Sequence, residues 1–178
     1  VLAIHPVDKA AGRAIFKRYH ADGAEPVVGI SVRNWQHETH FKDVMAEVSD
    51  RIVRELGARV VFLPMQFPED VHAAESIAER THEPCTVLKD EYTTSEFLSL
   101  VGNMDLMLAI RLHALIFAGV MGVPMIGVSY DPKIERFLSM LGEKPIGSLR
   151  SLQAEELSEA VQALLQNPAR PWLPRMKE

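Results

Sequence analysis

The chain has 178 residues, of which 47% are apolar and 24% are charged, and its formal net charge is -5. This length is enough for one full domain with a sizeable core, and an acidic chain without a basic stripe argues against a nucleic-acid-binding protein. The single cysteine excludes an intrachain disulfide and a multi-cysteine zinc site. No apolar run approaches the roughly 18 residues that a membrane-spanning helix needs.

The first 25 residues have the least regular pattern in the chain. Lys9 to Tyr19 has helical spacing, and the chain begins with an apolar stretch at Val1 rather than with an initiator Met. We therefore predict that residues 1–25 form a linker and a helix directed toward an N-terminal domain that is missing here. On this interpretation the chain is the C-terminal half of a two-domain protein, and it should fold alone but lack activity.

Strand-like and helix-like segments alternate over residues 26–166, the predicted main domain. Continuous apolar, β-branched runs predict strands that are buried on both faces, at Val27–Val32, Val60–Leu63, Thr86–Leu88, Asp105–Ile110 and Pro124–Val128, with a short sixth strand at Pro145–Ile146. Apolar spacing of three and four predicts helices at Phe41–Leu56, Glu69–Thr81, Thr94–Val101, Leu112–Met121, Pro132–Leu141 and Ala154–Leu165. This alternation predicts a Rossmann-like, doubly wound α/β domain with a parallel sheet, followed by a Pro-rich tail over residues 167–178.

Three local features refine these elements. The helix Leu112–Met121 is nearly all apolar, which predicts that it is buried against the sheet. Thr94 or Ser95 is predicted to cap its helix, and Asp131 is predicted to cap the helix that follows it. Cys85 lies in an apolar run, which favours a buried strand residue over a nucleophile.

Two arginines come directly after apolar strands. Arg33 follows Gly29–Val32, and Arg111 follows Leu106–Ile110. In open α/β sheets, ligands bind outside the carboxyl ends of the strands, where a guanidinium can hold a carboxylate or a phosphate with two hydrogen bonds. The two positions therefore predict an anion-binding site.

His113 adds a titratable group two residues after Arg111. It stands with Leu112 in the first turn of the apolar helix, where unpaired backbone amides and the helix dipole favour an anion. An Arg-x-His tripeptide is weak evidence on its own, but a strand–helix junction is an expensive place to bury charge without a function. We therefore expect a functional site around these three residues.

Other motifs are weaker. No Gly-rich loop follows the first strand, so neither a dinucleotide nor a P-loop nucleotide site is predicted. His37 and His40 flank Glu38 but have no distant fourth ligand, so we predict neither a bound metal nor another cofactor. The segment Ser129–Lys133 is typical of a helix entry, with substrate contact as the alternative.

Three segments stand in a specific order along the chain. They are Val28–Trp35 (VGISVRNW), Asp105–Ala118 (DLMLAIRLHALIFA) and Gly122–Lys133 (GVPMIGVSYDPK). Together they resemble the polysaccharide pyruvyl transferase family, over roughly residues 26–165 of the chain. The Arg-Leu-His tripeptide is the most specific part, and within the family the chain most resembles the bacterial CsaB-type enzymes of cell-wall polymer modification.

The resemblance implies a two-domain fold similar to that of GT-B glycosyltransferases, with the active site between two Rossmann-like halves. It implies phosphoenolpyruvate as the donor substrate and a lipid-linked cell-wall polysaccharide precursor as the acceptor, with N-acetylmannosamine carrying the resulting pyruvate ketal. The modified polymer would then anchor the S-layer-homology domains of surface proteins. The enzyme is expected in the cytoplasm, peripheral at the inner face of the membrane.

For this chemistry we assign roles to the candidate residues. Arg33 and Arg111 bind phosphoenolpyruvate, assisted by the backbone amide of Leu112. His113 is the candidate catalytic residue, either as a general acid or as a cation on the phosphate. The remaining candidate substrate contacts are Asn34, Ser129, Tyr130 and Lys133.

Two other functions stay open on the sequence alone. The same arginines and helix N-terminus would suit a GT-B glycosyltransferase or a nucleotide-sugar epimerase half-domain, which binds a nucleotide-sugar diphosphate. A non-catalytic Rossmann-like binding domain is the alternative outside the enzymes.

Overall fold

The apolar, β-branched runs form one five-stranded sheet in the computed structural model, which describes residues 4–168. The strands are β1 (Val27–Ser31), β2 (Arg59–Phe62), β3 (Thr86–Val87), β4 (Leu106–Ala109) and β5 (Met125–Gly127). The helices are α1 (Ala10–Arg18), α2 (His40–Leu56), α3 (Glu69–Ala78), α4 (Thr94–Gly102), α5 (Leu112–Met121), α6 (Pro132–Met140) and α7 (Ala154–Gln166). All strand pairs are parallel, in the order β3-β2-β1-β4-β5, which confirms the prediction of a Rossmann-like α/β domain.

Helices cover both faces of this sheet. One face packs against α2, α3 and α7 in a core that includes Ile30, Met45 and Leu157. The other face packs against α1, α4, α5 and α6 in a core that includes Met107 and Leu115. Because both faces are covered, every residue of β1 and β4 is buried, which explains why these strands are continuous apolar runs rather than alternating ones.

Helix α5 is buried where its apolar composition predicts. Ala114, Leu115 and Ala118 have no exposed surface, and the helix packs between the sheet and its neighbour α4. Gly122 ends it with a left-handed backbone at a φ of 70°, a conformation that glycine adopts at no steric cost. The sheet and α4 therefore hold α5 in place.

Of the two predicted helix caps, one is wrong and one is confirmed. The cap of α4 is Thr93, not Thr94 or Ser95, because Thr93 and Glu96 form a capping box. In it, Thr93 Oγ1 accepts from the amide of Glu96 at 3.2 Å, and the Glu96 carboxylate accepts from the amide of Thr93 at 3.0 Å. Asp131 caps α6 as predicted, accepting from the amide of Lys133 at 2.8 Å.

Cys85 is half-buried and lies just before β3 rather than within it. Its Sγ lies 3.8 Å from Thr81 Oγ1. Burial raises the pKa of the Cys85 thiol above its ordinary value, because an apolar environment disfavours the thiolate. The predicted strand position is thus wrong, and a raised thiol pKa agrees with an unreactive cysteine.

The predicted sixth strand at Pro145–Ile146 does not form. The segment instead lies beside the end of β5 through single backbone contacts, in which Ile146 donates to the carbonyl of Gly127 at 2.9 Å and Ser129 donates to the carbonyl of Gly147 at 2.8 Å. These contacts amount to an isolated parallel bridge between Ser129 and Ser148, so the segment does not add a strand to the sheet.

Helix α1 packs on α4 of the same domain. Ile15 and Phe16 join the core, and the amide of Gly12 donates to Ser99 Oγ at 2.8 Å. The division of the chain into a linker, a main domain and a tail stays a prediction, and from residue 169 the tail lies outside the described residues. Over residues 4–168, the structure has no helix with the length and apolar character needed to cross a membrane.

Candidate active site

Arg33 and Arg111 lie at the same edge of the sheet, after neighbouring strands. In the pairing of β1 with β4, Ser31 lies opposite Ala109, and each arginine comes two residues after its member of that pair. The connections from β1 lead to β2 and β3 on one side, whereas β4 and β5 lie on the other. This is a topological switch point, where open α/β sheets bind ligands, so the strand order places both arginines at the expected crevice.

Arg111 is held by a buried carboxylate. Its Nε donates to Asp70 Oδ2 at 3.0 Å and its Nη2 to Asp70 Oδ1 at 2.5 Å. Nη2 also donates to Gln66 Oε1 at 3.1 Å. Asp70 is 1% exposed and the Arg111 side chain 14% exposed, so the pair is shielded from solvent. Arg111 therefore makes with Asp70 the pair of hydrogen bonds that was expected with a bound anion. Of its three guanidinium nitrogens, Nη1 alone has no acceptor within residues 4–168.

The Asp70 carboxylate is held in position by the start of α3 and by a backbone amide. It lies in the first turn of α3, where the helix dipole favours a negative charge. Its Oδ2 accepts from the backbone amide of Gln66 at 2.9 Å. Because α3 begins after β2, which is the neighbour of β1, the carboxylate reaches across the crevice to Arg111. Asp70 thus fixes the direction of that guanidinium.

Arg33 is held by aromatic rings instead of a carboxylate. Its Cζ lies 5.1 Å from the centroid of the Trp35 ring and 5.0 Å from that of Tyr130, within the range of cation–π attraction. Its Nη1 donates to the Tyr130 hydroxyl at 2.9 Å, and its Nε donates to the carbonyl of Asn34 at 3.3 Å. Within the described part of the chain no carboxylate pairs with Arg33, so its positive charge lies beside the crevice without an ion-pair partner there.

His113 stands in the first turn of α5 with its side chain exposed, and Leu112 is half-buried beside it. The His113 ring centroid lies 6.4 Å from that of Phe117. Arg111 is the N-cap residue of α5 and makes no side-chain cap bond, so the first amides of the helix are not satisfied by a capping side chain. The first turn of α5 therefore carries an exposed imidazole and backbone amides that no side chain caps.

The other four predicted substrate contacts differ in whether their side chains are free to meet a ligand. Tyr130 joins the arginine cluster through its hydroxyl and its ring. Ser129 is 8% exposed and its hydroxyl donates to Glu135 Oε1 at 2.9 Å, so that hydroxyl is already in use. Asn34 and Lys133 are exposed, and among residues 4–168 their hydrogen bonds are made by the backbone, such as the Asn34 carbonyl and the Lys133 amide.

A cleft of about 180 Å³ adjoins Arg33. Its walls are Trp35, Glu38, Ser129, Tyr130, Ser148, Leu149 and Arg150. A larger cavity of about 480 Å³ lies at the opposite edge of the sheet, beside the amino ends of β1 and β4. Ligands of open α/β sheets bind at the carboxyl ends, so the smaller cleft is the one that belongs to the candidate site.

The histidines of the β1–α2 segment do not form a metal centre with other side chains. His37 is exposed, and His40 Nε2 lies 2.9 Å from the carbonyl oxygen of Leu152. In the part of the chain that the structure describes, no three His, Cys, Asp or Glu side chains come together as ligands for a metal ion.

Sequence reasoning missed the residues that hold the arginines. Asp70 and Gln66, which hold Arg111, have no role in the sequence analysis. Neither has Arg150, which pairs with Glu38 in the cleft wall. One usable signal existed, since a guanidinium at the mouth of a buried strand needs a carboxylate or a ligand. Trp35 ends the segment VGISVRNW, but its position against Arg33 depends on how the chain turns after β1.

Comparison with protein families and solved structures gives a consistent result. The family model described as "Polysaccharide pyruvyl transferase" matches residues 5–132, which include Arg33, Asp70 and Arg111. In the comparison with curated proteins, no sequence matches.

Several solved structures share the fold at low identity. The structure of E. coli ADP-heptose LPS heptosyltransferase II is 16% identical with a TM-score of 0.71, covering 92% of this chain and 54% of that one. The C-terminal CMP-Kdo binding domain of WaaA from Acinetobacter baumannii is 10% identical with a TM-score of 0.66, covering 96% and 97%. The UDP-GlcNAc 2-epimerase of Methanocaldococcus jannaschii is 16% identical with a TM-score of 0.64, covering 92% and 44%.

These likenesses show the fold alone: a Rossmann-like domain of the kind found in GT-B glycosyltransferases. The chain spans about half the length of the heptosyltransferase and less than half of the epimerase. It matches the WaaA domain over nearly the whole of both chains.

Proposed function

The chain belongs to the polysaccharide pyruvyl transferase family, and from this premise we propose that it binds phosphoenolpyruvate for transfer of its pyruvyl group to a sugar. The observation that carries the proposal is the pair Arg33 and Arg111 at the topological switch point, after neighbouring strands. Phosphoenolpyruvate has a carboxylate and a phosphate close together, so two guanidinium groups at one crevice match its charge.

The two arginines would act differently. Arg33, which has no carboxylate partner among residues 4–168, offers a full positive charge held in place by Trp35 and Tyr130. Arg111 offers its Nη1 edge, aimed by Asp70. The amides of Leu112 and His113 and the dipole of α5 add further attraction for one anionic group of the donor.

The reaction needs a proton and two hydroxyl groups. A proton added to the methylene carbon of the enol turns it into a methyl group and makes the neighbouring carbon electrophilic. One sugar hydroxyl adds to that carbon, phosphate leaves with the C–O bond electrons, and a second hydroxyl closes the ketal. The two hydroxyl protons are released, which balances the proton taken up and the protonation of phosphate.

His113 is our candidate for the group that assists this step. An exposed imidazole in the first turn of α5 can deliver a proton as imidazolium, or remain a cation against the departing phosphate. Both roles need the ring beside the donor, and what supports this is the place of His113 in the first turn of α5, two residues after Arg111. The general base for the sugar hydroxyls is proposed to come from another domain of the whole protein.

The finer assignment follows the CsaB-type resemblance. We propose that the acceptor is an N-acetylmannosamine residue of a lipid-linked cell-wall polysaccharide precursor, pyruvylated at the cytoplasmic face of the membrane. An N-terminal domain of the same protein would close the crevice from the opposite side.

The test is a donor comparison on the whole protein. We expect release of inorganic phosphate from phosphoenolpyruvate only when an N-acetylmannosaminide acceptor is present, and a product whose mass equals sugar plus pyruvic acid less one water. The second candidate is transfer from a nucleotide-activated sugar, favoured by the end-to-end match with a CMP-Kdo binding domain. Turnover of a CMP-sugar or UDP-sugar, with none of phosphoenolpyruvate, would establish that alternative instead.

A further inference from the structure

The cleft beside Arg33 has the character of a second binding site. It measures about 180 Å³ and lies between the end of β5 and the segment after β1. We propose that it binds one saccharide unit of the acceptor, next to the donor arginines. The identity of this ligand as the acceptor rests on the proposed function, whereas its chemical class follows from the cleft itself.

Two aromatic rings supply the apolar part of the cleft. Trp35 and Tyr130 both line it, with ring centroids 5.0 Å apart and planes at 56°. A pyranose ring has apolar C–H faces and a polar rim of hydroxyl groups. Such a ligand binds where aromatic surface adjoins a few well-placed hydrogen-bonding groups, and this cleft has both.

The two charged residues that line the cleft, Glu38 and Arg150, balance each other, and Arg33 is not among its walls. Arg150 Nε donates to Glu38 Oε1, in a pair whose carboxylate side chain is 21% exposed and whose guanidinium is 79% exposed. An anion would gain attraction from Arg150 and lose it to Glu38. A neutral hydroxyl can donate to the carboxylate and accept from the guanidinium, so the pair favours a polyhydroxyl ligand over a phosphate.

Size and position both fit a single sugar unit. The cleft is smaller than the roughly 300 Å³ at which pockets for larger ligands begin, which leaves too little room for a whole nucleotide-sugar. Tyr130 belongs to both sites, because its ring lines the cleft while its hydroxyl accepts from Arg33 Nη1 at 2.9 Å. A sugar in the cleft would therefore lie beside a donor bound by Arg33.

The experiment is a titration of this chain, labelled with ¹⁵N, with the methyl glycoside of N-acetylmannosamine. We expect shifts of the Trp35 indole signal and of the amides of Leu149 and Arg150. Glu38→Gln should raise the Kd of the glycoside roughly tenfold, the factor that a weakened charge-assisted hydrogen bond produces. The matched control Glu55→Gln, on the exposed end of α2, should leave the Kd unchanged.

Several results would overturn the proposal. They are an absence of shifts with the glycoside, shifts that fall outside the cleft, and an unchanged Kd in Glu38→Gln. Shifts of Trp35 with uridine monophosphate but not with the glycoside would mark a nucleotide site and overturn it too. A parallel titration with phosphoenolpyruvate keeps the two proposals apart, since its failure counts against donor binding and leaves the glycoside result standing.

Discussion

Arg111→Ala should destabilise the fold because it leaves the Asp70 carboxylate buried without its partner. Removing one member of a buried ion pair costs about 3–5 kcal/mol. Asp70 is 1% exposed but keeps the amide of Gln66, and the Arg111 side chain is 14% exposed. We therefore expect a loss at the lower end of that range, about 3 kcal/mol, out of a total of roughly 5–15 kcal/mol for a domain.

The assay is urea unfolding of this chain, followed by circular dichroism, with a double-mutant cycle. Asp70→Asn in the Arg111→Ala background removes the stranded charge, so it should recover about 2 kcal/mol of the loss. The matched control is Arg33→Ala, which removes a guanidinium held by ring contacts and should cost only about 1 kcal/mol. Equal losses for both arginines, or strictly additive effects of Arg111→Ala and Asp70→Asn, would refute the reasoning.

Four further outcomes are expected. In the whole protein, Arg111→Ala should raise the KM for phosphoenolpyruvate by more than tenfold, as the loss of a charge-assisted contact predicts; a wild-type KM and kcat would contradict donor binding there. Thr93→Ala should lower the free energy of unfolding by about 1 kcal/mol through loss of the capping box, and an unchanged urea midpoint would argue against that cap. Gly12→Ala places a Cβ 2.4 Å from the carbonyl oxygen of Ser99, so α1 must move from α4 at a cost of about 1–3 kcal/mol, seen as a lower Tm. Burial raises the pKa of the Cys85 thiol above 9.0, so its contribution to the stability of the fold is fully present below pH 9.0 and is lost as the pH rises through the raised pKa. Alkylation of Cys85 by iodoacetamide at neutral pH should therefore be slower than alkylation of a small free thiol. Equal rates would show that the thiol is accessible and that its pKa is not raised.

The elements could be predicted from local pattern. The bounds of α5 were predicted to the residue, and those of the central strands to within one or two residues, because burial on both faces demands continuous apolar runs. One error had a local signal: Thr93 and Glu96 are three residues apart, which is the spacing of the capping box that begins α4. The other error depended on tertiary structure, because the segment at Pro145–Ile146 meets β5 through single backbone contacts and an isolated bridge rather than a ladder.

The candidate site was only partly predictable. The positions of Arg33, Arg111 and His113 after strands or at a helix start follow from the sequence, because strand ends and helix starts have local signals. The partners do not. Asp70 lies 41 residues from Arg111, and Tyr130 lies 97 residues from Arg33, and no periodicity relates such distant positions.

The sequence by itself determined an α/β domain of alternating strands and helices, the family resemblance, and two arginines at strand ends. Only the tertiary structure decided that these arginines share one crevice, since this depends on the order β3-β2-β1-β4-β5. It also decided that the Arg111 guanidinium is held by Asp70, whereas the Arg33 guanidinium lies against the rings of Trp35 and Tyr130. The physical reason is that the spacing of apolar residues along the chain indicates which residues are buried, whereas the partners of charged side chains depend on which strands become neighbours in the sheet.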